Sequence, residues 1–148
     1  MNAHDEKFLK EYKMKIGSKT YIFQNVALER SPIGKWVITY GKVHDMMKAV
    51  AATILADKEQ ALTFDELEHL AQTAEISMAK IAELIKVDRS TITKWKKGDG
   101  MVPYTESYCL KDKLPRIIFD FEDTIETAQN RTSYWLEKGK LPFPKDVA

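Results

Sequence analysis

Apolar and polar positions follow two different rhythms along this chain. Residues 4–15 are mostly polar, and the pattern predicts a short polar helix or a frayed arm. Residues 20–42 change character. Tyr21, Ile22, Phe23, Val26 and Leu28, then Trp36, Val37, Ile38 and Tyr40, are largely β-branched or aromatic, the residue types that favour strands. Ser31-Pro32-Ile33-Gly34 between them is a turn sequence. A β-hairpin or two short strands over 20–42 is therefore predicted. A lone hairpin is marginal in water, so it must pack on helices or pair with another subunit.

Helical spacing takes over from residue 45. Met46, Val50 and Ile54 stand at i, i+4 and i+8 within a predicted helix over 45–58 and read as its core stripe. Thr63 followed by Glu66 is a capping box, with Leu62 and Leu67 in the staple positions. The helix it opens runs from Phe64 to about Thr73 and buries Phe64, Leu67, Leu70 and Ala71. Ser77, flanked by Ile76 and Ile81, repeats this grammar, and so does Asp88, flanked by Val87 and Ile92. Such closely spaced starts predict short helices joined by tight turns. A further helix is expected from Thr105 to Leu114, ended by Pro115. Residues 116–138 then hold another helix or two, and Gly139, Pro142 and Pro144 mark an irregular tail. Thr93-Lys94-Trp95 with Gly98 is echoed by Ser133-Tyr134-Trp135 with Gly139. The echo reads as chance before it reads as a second, degenerate copy of the motif within 119–143.

Residues 78–97 carry the most specific pattern. Two helices that cross through a tight turn need a small residue where they touch, and Ala82 supplies it. They need inward apolar groups, and Ile81, Ile85, Val87, Ile92 and Trp95 qualify. They also leave one face of the second helix free. Arg89, Ser90, Thr93, Lys94 and Lys97 fall there, all polar. This stretch resembles the helix-turn-helix of the Cro and phage-repressor (XRE) superfamily over about residues 64–114. The likeness is strongest in Ile81-Ala82-Glu83-Leu84-Ile85, in Val87 to Trp95, and at Gly98. It implies a bundle of four or five helices. The third, here about Arg89 to Lys97, would enter the major groove, and two copies would bind paired half-sites. Three positions depart from the family pattern. Lys86 stands at the turn position that favours glycine, at a cost of roughly 1 kcal/mol if left-handed. Met78 stands where glutamine is common, and Lys96 replaces a usual glutamate.

Each polar group then has a chemical expectation. Arg89 forks onto guanine O6 and N7 or clamps a phosphate. Ser90, Thr91 and Thr93 reach bases or phosphates or support the helix start. Lys94 lies one turn on, near the groove. Lys80, Lys96 and Lys97 are expected at phosphates or on a solvated surface, and Trp95 in the core.

Charge sharpens the picture where composition does not. The 148 residues are 44% hydrophobic and 30% charged, with a net charge of only +1. Yet residues 77–98 hold six basic residues against two acidic ones, while residues 119–148 hold six acids against four bases. A basic middle beside an acidic tail suits local phosphate contact. The apolar runs are too short for a membrane span, and the charged N-terminal residues lack a signal core. With a single cysteine, Cys109, no disulfide framework arises. A cytoplasmic protein is expected. His4, His44 and His69 show no metal-ligand spacing, and no phosphate loop, dinucleotide motif or nucleophile elbow is present. An enzyme, a metal and a cofactor are therefore not expected.

The resulting expectation is a mainly α fold, a λ-repressor-like helix-turn-helix bundle with a short N-terminal β-hairpin and a C-terminal helical extension. Residues 1–60 would form the N-terminal extension, 61–115 the DNA-binding domain and 116–148 the helical extension and tail. The function expected is that of a sequence-specific, homodimeric regulator on double-stranded DNA, of bacterial, phage or plasmid type. The alternative is a DNA-binding antitoxin whose N- or C-terminal extension covers a protein partner.

Overall fold

Gly17 and Ser18 reverse the chain between the first two strands, β1 (Lys7–Ile16) and β2 (Lys19–Arg30). Gly17 has a φ of +62°, as a two-residue hairpin loop with glycine first requires. A Cβ there would also meet Asp65 Oδ2 at 2.9 Å. The antiparallel register runs from Ile16↔Lys19 to Lys7↔Leu28. The polar helix or arm expected over 4–15 is thus corrected to a strand over residues 7–15, while residues 4–6 lie outside the described residues. Tyr12, Met14 and Ile16 alternate toward the core, while Glu11, Lys13 and Lys15 stay exposed. The alternation has the period of two of a strand, but it is short and Lys10 interrupts it. The structure, a computed structural model, describes residues 7–119, 123–132 and 134–137.

β2 is the central strand. It pairs with β1 along one edge, and with β3 (Trp36–Val37) and β4 (Tyr134–Leu136) at two places along the other. The predicted turn at Ser31–Gly34 exists, closed by Gly34 N–H on the Ser31 carbonyl at 2.8 Å. However, β3 contributes only two residue pairs, Glu29↔Val37 and Arg30↔Trp36. The principal hairpin lies upstream of the one expected over 20–42.

Helix α1 (Tyr40–Ala56) begins five residues before the expected 45, because Thr39 caps it and accepts a hydrogen bond from Lys42 N–H at 3.2 Å. Met46, Val50 and Ile54 are buried as predicted, and so are Ala49, Ala51, Ala52 and Leu55. The predicted capping box of Thr63 and Glu66 opens α2 (Phe64–Ala74). Then come α3 (Met78–Ile85), α4 (Arg89–Lys97) and α5 (Tyr104–Lys113). Pro115 does not stop the chain's helical course. It sits at the first position of a one-turn helix, α6 (Pro115–Ile118), where its missing N–H costs nothing.

The remaining chain departs from the helical extension expected over 116–138. After α6 it forms the six-residue α7 (Ile125–Asn130) and then strand β4. Tyr134 and Trp135 therefore lie in a strand, and the echo of the Trp95 helix is not a second helix-turn-helix there. Ser133, Gly139, Pro142 and Pro144 lie outside the described residues. Tertiary packing explains the strand. The Tyr134 ring stacks on Phe23 with centroids 5.2 Å apart. Its hydroxyl shares a hydrogen bond with Thr53 Oγ1 and donates to the Ala49 carbonyl at 3.1 Å. α7 is tied to α1 beside it. Buried Asp123 takes Lys48 at 2.8 Å and also Arg131, which reaches Asp45 at 3.0 Å.

The expected mainly α bundle with a short hairpin is accordingly corrected to a mixed α/β fold with a four-stranded antiparallel sheet. Its core is one cluster that runs from Ile16, Tyr21 and Phe23 through Leu67, Ile81 and Ile92 to Tyr134.

Candidate nucleic-acid interface

α2, α3 and α4 follow one another through two turns of the same construction. Glu75 and Lys86 each end a helix with φ of +58°. In the first turn Ile76 N–H reaches back to the Ala71 carbonyl at 3.0 Å, and in the second Val87 N–H reaches Ala82 at 3.0 Å. These are Schellman ends, normally built on glycine. Lys86 thus takes the left-handed geometry anticipated for it. On the far side of each turn a cap position begins the next helix. Ser77 Oγ accepts from Lys80 N–H at 3.1 Å. Asp88 has the extended backbone of a cap, but its side chain makes no capping hydrogen bond.

Helical geometry then sorts α4. At 100° per residue, Ile92 and Trp95 share one side, while Arg89, Thr93 and Lys97 run along the other with Ser90 and Lys94 beside them. Ile92 is buried together with Ile81 and Ala82 of α3. Trp95, Ile85 and Val87 are half-buried and pack on the core. Arg89, Ser90, Thr93, Lys94 and Lys97 are all exposed. Among the described residues none of Arg89, Lys94 and Lys97 enters an ion pair. Thr93 Oγ1 donates to the Arg89 carbonyl at 3.3 Å, which bonds the hydroxyl to its own helix.

The other three candidate residues sit elsewhere. Thr91 is half-buried on the flank, and its N–H donates to the Asp88 carbonyl at 2.9 Å, so its role is in the first turn. Lys96 turns from the outer face toward α2, its ammonium 5.8 Å from the centre of the Phe64 ring. Lys80 lies on α3 and pairs with Glu83 at 3.0 Å. The lysines in the last turn of α4, Lys94, Lys96 and Lys97, also favour the negative end of the helix dipole.

The frame that fixes α4 includes residues that sequence reasoning did not find. After Lys97, Gly100 adopts a φ of +75° and its N–H returns to the Trp95 carbonyl at 3.1 Å. The loop is then clamped to the entry of α2. Phe64 N–H donates to the Gly100 carbonyl at 2.7 Å, and Val102 N–H to the Leu62 carbonyl at 2.9 Å. Ser107 of α5 completes the clamp, accepting from Leu62 N–H at 2.9 Å and donating to the Val102 carbonyl at 3.1 Å. Gly98-Asp99-Gly100 announces a break in the sequence, but nothing in it names residues 62–64 as the partner. Exposed lysines on β1, among them Lys10, Lys13 and Lys15, were also missed, because that segment was not read as a strand.

Comparison with protein-family models, with curated proteins and with solved structures gives no match. Among the described residues no group of three or more histidine, cysteine or acidic side chains is placed to hold a metal ion. No helix among them is long and apolar enough to cross a membrane.

Proposed function

We propose that this protein binds double-stranded DNA through α3 and α4, as a transcriptional regulator with a helix-turn-helix of the Cro and phage-repressor type set against a β-sheet. One observation carries the reading. α4 buries Ile92 and leaves Arg89, Ser90, Thr93, Lys94 and Lys97 exposed together, with their three charges unpaired among the described residues. Three exposed cations on one face of a short helix suit a polyanion, and the phosphates of a duplex supply one. The turn at Lys86 and the small Ala82 at the crossing support the same reading. In this reading Arg89 reads a base edge, Ser90 and Thr93 line the groove, and Lys94 and Lys97 meet phosphates. The protein acts by occupying its site, not by catalysis.

One recognition helix covers too few base pairs for genomic specificity. The reading therefore includes a homodimer on a palindrome, with half-sites about 10 base pairs apart or a multiple of that. Selection of bound duplexes from a random pool tests the proposal. A palindromic motif should emerge, and its binding should weaken steeply with salt as counterions are released. Recovery of no motif together with salt-independent binding overturns it.

The antitoxin reading stands second. Among the described residues β1 pairs only with β2, and its other edge, beside exposed Phe8 and Leu9, has no partner strand among them, the kind of edge that accepts an added strand. Co-purification of a stoichiometric protein partner would favour it.

A further inference from the structure

β2 is paired unevenly along its second edge. β4 covers residues 21–23, and β3 covers residues 29 and 30. Between these stretches, residues 24–28 meet no strand on that side among the described residues. A cavity of about 460 Å³ lies at this gap, a size common for small-molecule sites. Its wall takes Lys42 and Met46 from α1, and Arg131 and Thr132 from the turn between α7 and β4. From β2 it takes residues 23–27. Asn25 in this stretch is left-handed, with a φ of +54°, and the register with β1 skips it. The break upsets the alternation of the strand. Phe23 and Val26, three positions apart, are both buried and both line the cavity.

The charges select the sign of an occupant. Both charged residues of the wall, Lys42 and Arg131, are basic. Arg131 is engaged by Asp45 and Asp123, but Asp123 is shared with Lys48. Lys42 enters no ion pair among the described residues. Three bases therefore face two acids, and the uncompensated charge is the one on the wall. Thr132 adds a second unmet demand. Its Oγ1 is buried and has no hydrogen-bond partner among the described residues, a rare state for a buried polar atom. Phe23, Val26 and Met46 make the rest of the wall apolar, which a wholly hydrophilic anion would not use.

We propose that this cavity binds a small organic acid with one carboxylate and an apolar body. Lys42 pairs with the carboxylate. Thr132, turned by rotation about χ1, donates its hydroxyl to the same group. The body lies against Phe23, Val26 and Met46. No residue of α3 or α4 lines the cavity, so the site does not depend on the DNA reading and is measured without DNA.

Isothermal titration of the full chain with benzoate, phenylacetate and 4-methylpentanoate tests it. Benzamide and phenylacetamide serve as uncharged counterparts, and inorganic phosphate as a hydrophilic anion. At least one of the three acids should bind saturably, and neither the amides nor phosphate should bind as tightly. Thr132→Val keeps the shape of the side chain and should weaken binding about tenfold, the worth of one hydrogen bond to a charged group. Lys42→Gln should weaken it at least as much. That variant keeps a long side chain on α1 and decides the matter alone if Thr132→Val does not fold. Heats of dilution alone with all three acids overturn the proposal. So does an amide or phosphate bound as tightly as the best acid, or unchanged affinity in either folded variant.

Discussion

Lys113 on α5 donates a 2.8 Å hydrogen bond to the carbonyl of Leu84, in the last turn of α3. The last carbonyls of a helix have no partner within it, and a cation there also favours the helix dipole. The bond therefore holds the turn into α4 from outside, two residues before left-handed Lys86. Lys113→Met keeps the aliphatic stem and removes the donor. It should cost about 1 kcal/mol, read as a lower urea midpoint at unchanged m-value. An unchanged midpoint would mean that water replaces the ammonium at no cost.

Lys86 itself is predicted to be improvable. A side chain in left-handed geometry carries about 1 kcal/mol of strain, part of which glycine gives back through a freer unfolded chain. Lys86→Gly should therefore raise stability by about 0.5 kcal/mol. Lys86→Ala keeps the strain and should gain nothing. Equal behaviour of the two variants in urea unfolding would contradict the strained turn.

The two sides of α4 should separate recognition from folding. Arg89→Ala removes an exposed side chain and should leave the unfolding curve in place. It should weaken binding to the selected duplex by about 1–3 kcal/mol and relax preference at one base position. Ile92→Ala empties a buried position and should cost about 2–5 kcal/mol of stability, with binding lost to all duplexes alike. Unfolding curves and binding to cognate and random duplex, measured for both variants, would show a misassigned face at once.

Acid should loosen the packing of α1 on α2. His69 is buried between them, its Nε2 3.0 Å from the Met47 carbonyl, to which it donates. Burial holds its pKa below the ordinary 6.5, against smaller opposing effects from the Met47 bond and Glu66. Its contribution is whole above 6.5 and is lost as pH falls through the lowered value, where the unfolded chain binds the extra proton. The urea midpoint should fall as pH drops below the ordinary 6.5, and His69→Gln should flatten that fall. An equal fall in the variant would place the titration elsewhere.

The parts of this fold that were legible in the sequence are those decided within a few residues. Thr63 with Glu66, Ser77 at its cap and Lys86 in its turn each depend on neighbours three to five positions away, and each is where the pattern put it. The inward residues of α3 and α4 followed from the same local spacing. β1 was missed because Lys10 interrupts the alternation of Tyr12, Met14 and Ile16, which leaves an apolar run too short to read without its pairing to β2. β4 was missed for a stronger reason. Tyr134 is drawn into a strand by Phe23, Thr53 and Ala49, groups more than eighty positions earlier in the chain. Of the candidate contacts, the five on the outer face of α4 followed from helical geometry. Lys96 did not, because Phe64 lies on another helix.

That distant closure of the sheet has a consequence for how the protein is made. β1 and β2 can pair soon after they are synthesised, since a two-residue loop joins them. Tyr21 and Phe23, however, receive their aromatic cover from Tyr134. Throughout translation of the helices between them, the nascent chain carries an incompletely covered aromatic surface of the kind that draws chaperones or promotes aggregation. A message truncated before codon 134 would yield a product that never hides it. Late closure by β4 thus makes completion of the N-terminal hairpin's packing depend on a residue more than a hundred positions downstream.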